Sequence, residues 1–158
     1  MTESSPPPPP GSPARIYCHR FSFPPTAEDI NEHVNNVEYV RMLQESAIAH
    51  THHNGWHTEK LREHGWTWVV RSHQIEYLQP CMAGEPVAVY TWVHTFKKIR
   101  SIRRYRFIRE SDGVVLAEAE TDWIFLDFVR GRPVAIPAEV LAAYAVVPEE
   151  EEKTIGNA

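Results

Sequence analysis

The sequence predicts an α+β domain in which an antiparallel sheet wraps around one long helix. Two observations support this fold class. Residues 36–53 carry apolar side chains at helical spacing, whereas the chain from Trp66 onward alternates with a period of two, as strands do. One strand precedes the helix and four or more follow it, and such strands bury their apolar face by packing around the helix.

The first strand and the start of the helix are well marked. Residues 16–23 alternate loosely, and the prolines that follow end the strand. Asn35 has the side chain of an N-cap, and Glu38 stands three residues later, as in an Asn variant of the capping box. The helix is therefore expected to begin at Asn36, and an Asn-Gly pair ends it.

Turns rich in glycine, proline and aspartate separate the remaining elements. A short second helix, with Thr58 as its N-cap, leads into the sheet. A turn at Arg130-Gly131 and a helix near residues 138–144 close the domain. The predicted strands of this part cover residues 66–77, 87–96, 99–109 and 114–128, and a short segment that ends at Ile136.

The third and fourth of these strands form the clearest hairpin. A Ser-Asp-Gly loop suits a three-residue turn in which Gly113 takes the left-handed conformation. The resulting register places Phe107 opposite Ala117 on the apolar face. It also places Arg106 opposite Glu118 on the other face, so both faces agree with one register.

The two ends of the chain differ in composition from the domain between them. Residues 1–14 are rich in serine and proline, which predicts a disordered arm with polyproline II character. The glutamate run within residues 147–158 predicts a disordered, solvated acidic tail. Residues 15–146 then form one domain, as a chain of 158 residues allows.

Composition narrows the classes of partner. A net charge of −5 gives no general reason to expect nucleic acid, and no apolar run approaches the ~18 residues of a membrane-spanning helix. The N-terminus lacks a secretory signal, so we expect a cytoplasmic protein without membrane contact. The two cysteines have no metal spacing, and a glycine interrupts the histidines at positions 50, 52, 53 and 57, so no metal and no cofactor are predicted.

The loop before the helix has the groups that acyl transfer requires. If Asn35 caps the second or third helical amide, the Asn36 N–H stays free at the positive end of the helix dipole, where it can hold an oxyanion. Asp29 lies seven positions upstream and could fold back toward that amide as a nucleophile or a general base. Alternatively, Asp29 and the asparagines only order the loop.

Residues 29–39 read Asp-x-Asn-x-His-Val-Asn-Asn-Val-x-Tyr and include Asp29, Asn31, His33 and Asn36. This segment resembles the one before the central helix of hot-dog-fold acyl-thioesterases, the 4-hydroxybenzoyl-CoA thioesterase-like family, and is closest to the acyl-ACP type. Two further blocks, at residues 75–87 and 131–137, resemble later parts of that family in the same order.

The resemblance implies a hot-dog fold and hydrolysis of an acyl-CoA or acyl-carrier-protein thioester without a cofactor. It implies that Asp29 is the catalytic carboxylate and that the helix amide near Asn36 polarises the carbonyl. It matches Asn31 and His33 to residues that orient or activate water. It also implies a homodimer or homotetramer whose active sites lie between protomers.

Two other functions remain open. Hot-dog hydratases also place an aspartate and a histidine before this helix, but as Asp-x-Asn-Pro-x-His, with an offset of five rather than the four found here. A non-catalytic module that binds acyl thioesters is the second alternative, against which only the retained Asp29 speaks. Plant acyl-ACP enzymes carry a glutamate where this chain has Pro80, and we interpret the adjacent Cys81 as a passive thiol.

Basic and aromatic residues suggest where a substrate binds. Lys97, Lys98 and Arg100 are the predicted ligands of coenzyme A phosphates or of an acidic carrier protein, because the hairpin register gives them no acidic partner. The alternative is that the basic strand only pairs with Glu118 and Glu120. Three tryptophans near the helix end could line an acyl pocket: Trp56, Trp66 and Trp68.

Overall fold

The computed structural model describes residues 15–156, so the arm predicted for residues 1–14 lies outside the described part. The predicted α+β class is confirmed: one antiparallel sheet packs against one long helix. The strands are β1 (Ile16–Phe21), β2 (Trp66–Tyr77), β3 (Val87–Phe96), β4 (Arg100–Arg109), β5 (Val115–Asp127) and β6 (Arg132–Pro133). The helices are α1 (Asn36–His53), α2 (Thr58–Glu63), α3 (Ala138–Leu141) and α4 (Glu149–Glu152), with a 3-10 turn at Pro25–Ala27.

The order of strands in the sheet leaves β2 at an edge. The main path is β1-β3-β4-β5-β2, and every neighbouring pair is antiparallel. The short β6 pairs with the end of β5. Because β2 is 12 residues long and its outer edge has no partner strand among residues 15–156, the sheet has a long unpaired edge.

The predicted register of the β4–β5 hairpin is confirmed. Phe107 lies opposite Ala117, and Arg106 lies opposite Glu118. Gly113 has a φ of +73°, which is the left-handed conformation expected in its loop. The hairpin therefore fixes which residues of β4 face α1 and which face away from it.

The start of α1 was predicted correctly except for one hydrogen bond. Asn35 is the N-cap, and its Oδ1 accepts from the Val37 N–H at 3.0 Å. Glu38 does not close a capping box, because its carboxylate lies 3.4 Å from Arg41 Nε. The Asn35 N–H donates instead to the Ala27 carbonyl at 2.8 Å, since the preceding chain folds back onto the helix start.

The main core lies between α1 and one face of the sheet. Leu43, at the centre of the buried helix face, is fully buried, as are Val89 of β3 and Phe107 of β4. These strand residues occupy odd positions, so the odd-numbered side chains of β3 and β4 face the helix over this part of the sheet.

The segment after residue 146 packs onto the domain, although the sequence predicted a solvated tail there. Residues 147–155, which we call the C-terminal clasp, pack against the other face of the sheet. Val147 and Ile155 are buried beside Trp92 of β3, and Glu152 is only 5% exposed. The sequence did not indicate this packing, because four consecutive glutamates are typical of a solvent-exposed segment. One of them, however, accepts hydrogen bonds from residues of distant strands.

Several element boundaries also differ from the predicted ones. The N-cap of α2 is His57 rather than Thr58, because the His57 Nδ1 accepts from the Lys60 N–H at 3.1 Å. A neutral imidazole nitrogen can satisfy a helix N–H just as a hydroxyl can. The first strand stops at Phe21, and α3 is shorter than the predicted helix, since it ends at Leu141.

Candidate active site

The loop that precedes α1 is held together by the Asp29 backbone and side chain. The Asp29 N–H donates to the His33 carbonyl at 2.9 Å, and the Glu32 N–H donates to the Asp29 carbonyl at 3.0 Å. The Asn31 N–H donates to Asp29 Oδ1 at 2.9 Å. Asp29 therefore orders the loop, which was the alternative to a catalytic role. This ordering uses one carboxylate oxygen and leaves the second available for chemistry.

Glu32 holds the loop in an uncommon conformation. Its φ is +59°, and within residues 15–156 it is the single non-glycine residue with a positive φ. A left-handed residue with a long side chain costs free energy that the surrounding hydrogen bonds must offset. Such strain, placed between Asn31 and His33, is typical of loops whose geometry serves binding or catalysis.

Three backbone contacts dock the loop at the N-terminal end of α1. Glu28 and Val34 form an isolated antiparallel bridge, and the Val34 N–H donates to the Cys81 carbonyl at 2.8 Å. Together with the bond from Asn35 to Ala27, these contacts bring the residues around Asp29 alongside the first helical turn. Asp29 is half-buried, whereas Asn31 and His33 are exposed.

The first helical amide is left uncapped, as the Asn35 N-cap predicted. Within residues 15–156, no acceptor pairs with the Asn36 N–H, because the Asn35 cap binds the next amide instead. The Tyr77 hydroxyl donates to the Asn36 carbonyl, in the next peptide group, at 3.0 Å and so ties the first helical turn to β2. The amide stands at the positive end of an 18-residue helix.

Cys81 supports this loop but is not a nucleophile. Its side chain is 1% exposed, and burial, followed by the nearby Glu85 carboxylate, raises the pKa of the thiol to about 12. The group therefore stays protonated near neutral pH, in agreement with the passive role expected from its sequence.

A cavity of about 480 Å³ opens between the C-terminal half of α1 and the sheet. Its outer end is at the β2 edge, where Ile48 and Val69 are exposed, and its inner end reaches Arg103 on β4. Of the three tryptophans that the sequence suggested as the lining of an acyl pocket near the helix end, Trp68 lines this cavity. Its further lining residues include Thr51, Val70, Val93, Phe96, Ser101 and Tyr144.

The other two tryptophans considered as pocket residues serve the core. Trp56 is 6% exposed and belongs to a cluster with Phe125, and Trp66 packs against that cluster. They pack in the core around α2 rather than lining the cavity. Most tryptophans are largely buried in this way.

The predicted catalytic residues and the cavity lie at opposite ends of α1. Asn36 begins the helix and Ile48 stands 12 residues later, which corresponds to about 18 Å along the axis at 1.5 Å per residue. Neither Asp29 nor His33 lines the cavity of its own protomer. Within one chain, therefore, the carboxylate and the cavity do not form one continuous site.

The basic residues proposed as substrate ligands separate into two groups. Lys97 and Lys98 are exposed in the turn between β3 and β4, directly after Phe96, which lines the cavity. The prediction that Arg100 lacks an acidic partner is wrong, because its Nε donates to Asp122 Oδ1 at 3.1 Å. Asp122 lies diagonally across the hairpin, and a long side chain reaches such a neighbour as well as the directly opposed one.

Arg104 and Arg106 pair with glutamates across the hairpin, which was the alternative to substrate binding for the basic strand. Arg104 Nε lies 3.0 Å from Glu120 Oε2, and Arg106 Nε lies 3.4 Å from Glu118 Oε1. Both arginines face the C-terminal clasp, away from α1. This leaves Lys97 and Lys98 as the basic residues beside the cavity that remain candidates for a phosphate.

The histidines near the end of α1 take structural positions. His57 caps α2, and His50 is fully buried beside Arg103. Across residues 15–156, no group of three His, Cys, Asp or Glu side chains is placed to hold a metal ion. No helix in the same part of the chain is long and apolar enough to cross a membrane.

Comparison with known proteins now defines the family. A sequence model of the thioesterase-like superfamily matches residues 23–144, which include the Asp29 loop, α1 and all strands from β2 onward. The chain belongs to this superfamily. The predicted resemblance is therefore confirmed at the level of the family, and no curated protein matches the chain.

Solved structures agree with the superfamily assignment. The 1,4-dihydroxy-2-naphthoyl-CoA thioesterase of Synechocystis has a TM-score of 0.74 at 13% identity, over 81% of this chain and 94% of its own. A hypothetical protein from Staphylococcus aureus, solved with CoA, has a TM-score of 0.76 at 15% identity, over 81% and 80%. An acyl-ACP thioesterase from Bacteroides thetaiotaomicron has a TM-score of 0.72 at 22% identity, over 81% and 52%. These similarities confirm the hot-dog fold.

Proposed function

We propose that this member of the thioesterase-like superfamily hydrolyses an acyl thioester of coenzyme A or of an acyl-carrier protein. One observation carries the proposal: the Asp29 loop is docked at the N-terminus of α1, next to the Asn36 amide, which has no acceptor in residues 15–156. A carboxylate beside such an amide is the minimal arrangement for opening a thioester.

The two groups divide the chemistry between them. A thioester carbonyl bound at the Asn36 N–H gains positive character at carbon, and the developing oxyanion is stabilised at the end of the helix dipole. Asp29 either attacks that carbon or takes a proton from a water molecule that attacks it. The carbon–sulfur bond then breaks, and the thiolate leaves and is protonated. Where Asp29 itself attacks, the acyl group is left on its carboxylate as a mixed anhydride, and water hydrolyses this anhydride to release the free acid and regenerate Asp29.

Asn31 and His33 are proposed to orient or activate the water. Both belong to the loop that Asp29 organises, and both side chains are exposed on it. A water molecule held between an amide, an imidazole and the Asp29 carboxylate would approach the carbonyl from the side opposite the helix. His33→Ala should then lower kcat strongly, whereas a small loss would leave Asp29 and the Asn36 amide as the minimal site.

A second protomer would complete the site. Pairing two β2 edges about a two-fold axis perpendicular to the sheet reverses the direction of α1, so the Asp29 loop of one protomer approaches the cavity of the other. Exposed apolar side chains lie at both ends of this arrangement: Ile30 and Val37 beside the loop, and Ile48 and Val69 beside the cavity. We therefore propose a homodimer, or a homotetramer built from such dimers.

Light scattering at micromolar concentration tests this assembly. The expected result is a mass of two or four times the 18.2 kDa of the chain. A purely monomeric protein would contradict the proposal that active sites are shared between protomers.

Lys97 and Lys98 are proposed to bind the acyl carrier. Both ammonium groups are exposed in the turn that directly follows the cavity residue Phe96, where they would attract the phosphate groups of the carrier. The same charges would also attract an acidic carrier protein. Thiol release from a panel of acyl-CoAs and acyl-carrier proteins distinguishes the two substrates.

Asp29→Asn tests the catalytic assignment. Asparagine keeps an Oδ1 acceptor for the Asn31 N–H, so the loop should keep its shape while the base is lost. Because general-base catalysis contributes about 10²–10⁴-fold, kcat should fall at least about 100-fold while the melting temperature changes little.

Glu28→Gln is the matched control. Glu28 is the neighbouring acid of the same loop, and its Oε1 accepts from the Ala83 N–H, a contact that glutamine can retain. This variant should keep nearly full activity. An Asp29→Asn enzyme that retained more than about a tenth of wild-type kcat would remove Asp29 from the mechanism, because a lost base costs about 100-fold or more.

A further inference from the structure

Arg103 is a buried cation that lacks a carboxylate partner. Its side chain lies at the inner end of the cavity, and the residue is only 5% exposed. Its Nη1 donates to His50 Nδ1 at 2.8 Å and to Thr91 Oγ1 at 3.2 Å. Within residues 15–156, no carboxylate oxygen lies within 4.0 Å of the guanidinium.

The other arginines of β4 show that this is unusual for the strand. Each of them has an acidic partner, although each is more exposed than Arg103: Arg100 with Asp122, Arg104 with Glu120 and Glu152, Arg106 with Glu118, and Arg109 with Asp112. A buried charge normally requires a counter-charge, because neutral hydrogen-bond partners replace only part of its hydration. Arg103, the most buried of the five, is the one without a counter-charge.

The neutral partners leave part of the guanidinium free. Both hydrogen bonds involve Nη1, and Nε and Nη2 have no acceptor in the described part of the chain. An arginine can present these two donors side by side to the two oxygens of one carboxylate. Because Arg103 lines the cavity, such a carboxylate would have to come from a molecule inside it.

Other residues at the inner end favour a polar group there. Ser101 and Thr51 line the cavity, and Thr51 accepts a hydrogen bond from the Tyr144 hydroxyl at 3.0 Å. The Tyr144 ring lies 6.0 Å from the Arg103 guanidinium. Val70 and Trp68 of β2 form apolar walls nearer the mouth, and Phe96 of β3 lies farther in, opposite Ser101. The cavity thus offers apolar wall to an acyl chain and a cation at its inner end.

We propose that the cavity selects acyl groups that carry a carboxylate at the end far from the thioester, and that Arg103 binds this carboxylate. The inference rests on the proposed thioesterase function and names its substrate class. The acyl chain lies along the apolar walls, its thioester remains at the mouth near the Asp29 loop of the second protomer, and its terminal carboxylate pairs with Arg103.

Chain-matched substrates test the proposal. Adipoyl-CoA and suberoyl-CoA carry a terminal carboxylate, whereas hexanoyl-CoA and octanoyl-CoA have the same number of carbons without it. The wild-type enzyme should show the higher kcat/KM for the carboxylated member of each pair. Arg103→Met should lower kcat/KM for that member about 10- to 100-fold, the range expected for a hydrogen bond to a charged group, and should raise the rate on the uncharged member.

Two further variants make the result specific. Arg103→Gln retains a donor toward His50 and Thr91 but removes the charge, so it should lose the preference even if Arg103→Met does not fold. Arg20→Met removes a surface arginine that pairs with Glu110, and it should leave the ratio of the two kcat/KM values unchanged. Equal preference in wild type and Arg103→Gln would overturn the proposal.

A binding measurement separates this inference from the proposed hydrolysis. Free suberate should raise the melting temperature of the wild-type protein more than the uncharged octanamide does, and this difference should vanish in Arg103→Gln. If no thioester is hydrolysed but suberate still stabilises through Arg103, the hydrolytic function fails and the carboxylate site stands. If thioesters are hydrolysed without preference for a terminal carboxylate, or with a preference for hydroxylated aromatic acyl groups instead, the carboxylate site is refuted.

Discussion

Replacing Glu152 with glutamine should detach the C-terminal clasp from the sheet. Glu152 Oε1 accepts from Trp92 Nε1 at 2.9 Å and from His94 Nδ1 at 2.7 Å, and its Oε2 accepts from Arg104 Nη1 at 2.6 Å. Glutamine keeps one acceptor oxygen, but it carries no charge and places an amide against the donors of the arginine. Breaking one or two hydrogen bonds to a charged group at about 1.5–3 kcal/mol each predicts a loss of about 2–4 kcal/mol.

The loss can be measured by calorimetry and by urea titration. For a chain of this length, 1 kcal/mol corresponds to about 2–4 °C, so the melting temperature of Glu152→Gln should fall by about 4–16 °C. Glu149→Gln is the matched control, because this side chain is 77% exposed and lies 4.0 Å from the Arg104 guanidinium. It should change stability by no more than about 0.5 kcal/mol. Equal effects of the two substitutions would refute the network described for Glu152.

The pH dependence supplies an independent check. Burial opposes ionisation of Glu152, but the hydrogen bonds from Trp92, Arg104 and His94 outweigh it, so the pKa of the carboxyl lies below its usual 4.5. The unfolded chain then binds a proton more readily than the folded one, and the contribution is present above the usual value and lost as the pH falls through the lowered pKa. The gap in melting temperature between wild type and Glu152→Gln should therefore narrow on acidification. A gap of constant size from neutral pH to about pH 3 would contradict this reasoning.

Two further substitutions test the binding turn and the core. Replacing Lys97 and Lys98 with glutamine should raise KM for acyl-CoA several-fold and leave kcat nearly unchanged, as steady-state kinetics would show, because both side chains are exposed and are proposed to bind the carrier without taking part in the chemistry. An unchanged KM would remove these lysines from the substrate site. Leu43→Ala should destabilise the fold by about 2–5 kcal/mol in urea titration, since Leu43 is fully buried between α1 and the sheet. A loss below about 1 kcal/mol would mean that the core can collapse around the missing atoms.

The fold was predictable where local chemistry and pattern agree. The start of α1 follows from Asn35 alone, because a cap is a contact between residues two apart. The hairpin register follows from Phe107 and Arg106, because shifting it by one residue would exchange the apolar and charged faces. The loop of residues 29–35 was also recognised from its sequence, although its function remains a prediction.

The missed features depend on residues far apart in the chain. Glu152 meets Trp92 across 60 positions, and no pattern near the glutamate run indicates that contact. Arg100 reaches Asp122 diagonally, which an analysis of directly opposed pairs does not include. The cavity and the buried Arg103 arise only when α1 lies against the sheet, so their position could not be read from spacing along the chain.

The way the C-terminal clasp is attached has a consequence for the dynamics of the protein. In the described part of the chain, one hydrogen bond joins its backbone to the backbone of a strand: the Val147 N–H donates to the Val93 carbonyl at 3.0 Å. The remaining attachment is through side chains, and α1 with its cavity lies on the opposite face of the sheet. The clasp can therefore open as a local unit with a free energy below that of global unfolding. Fluorescence of Trp92 and rapid hydrogen exchange in residues 147–155 would then report this local opening, while slowly exchanging amides of the central strands report the stability of the whole domain.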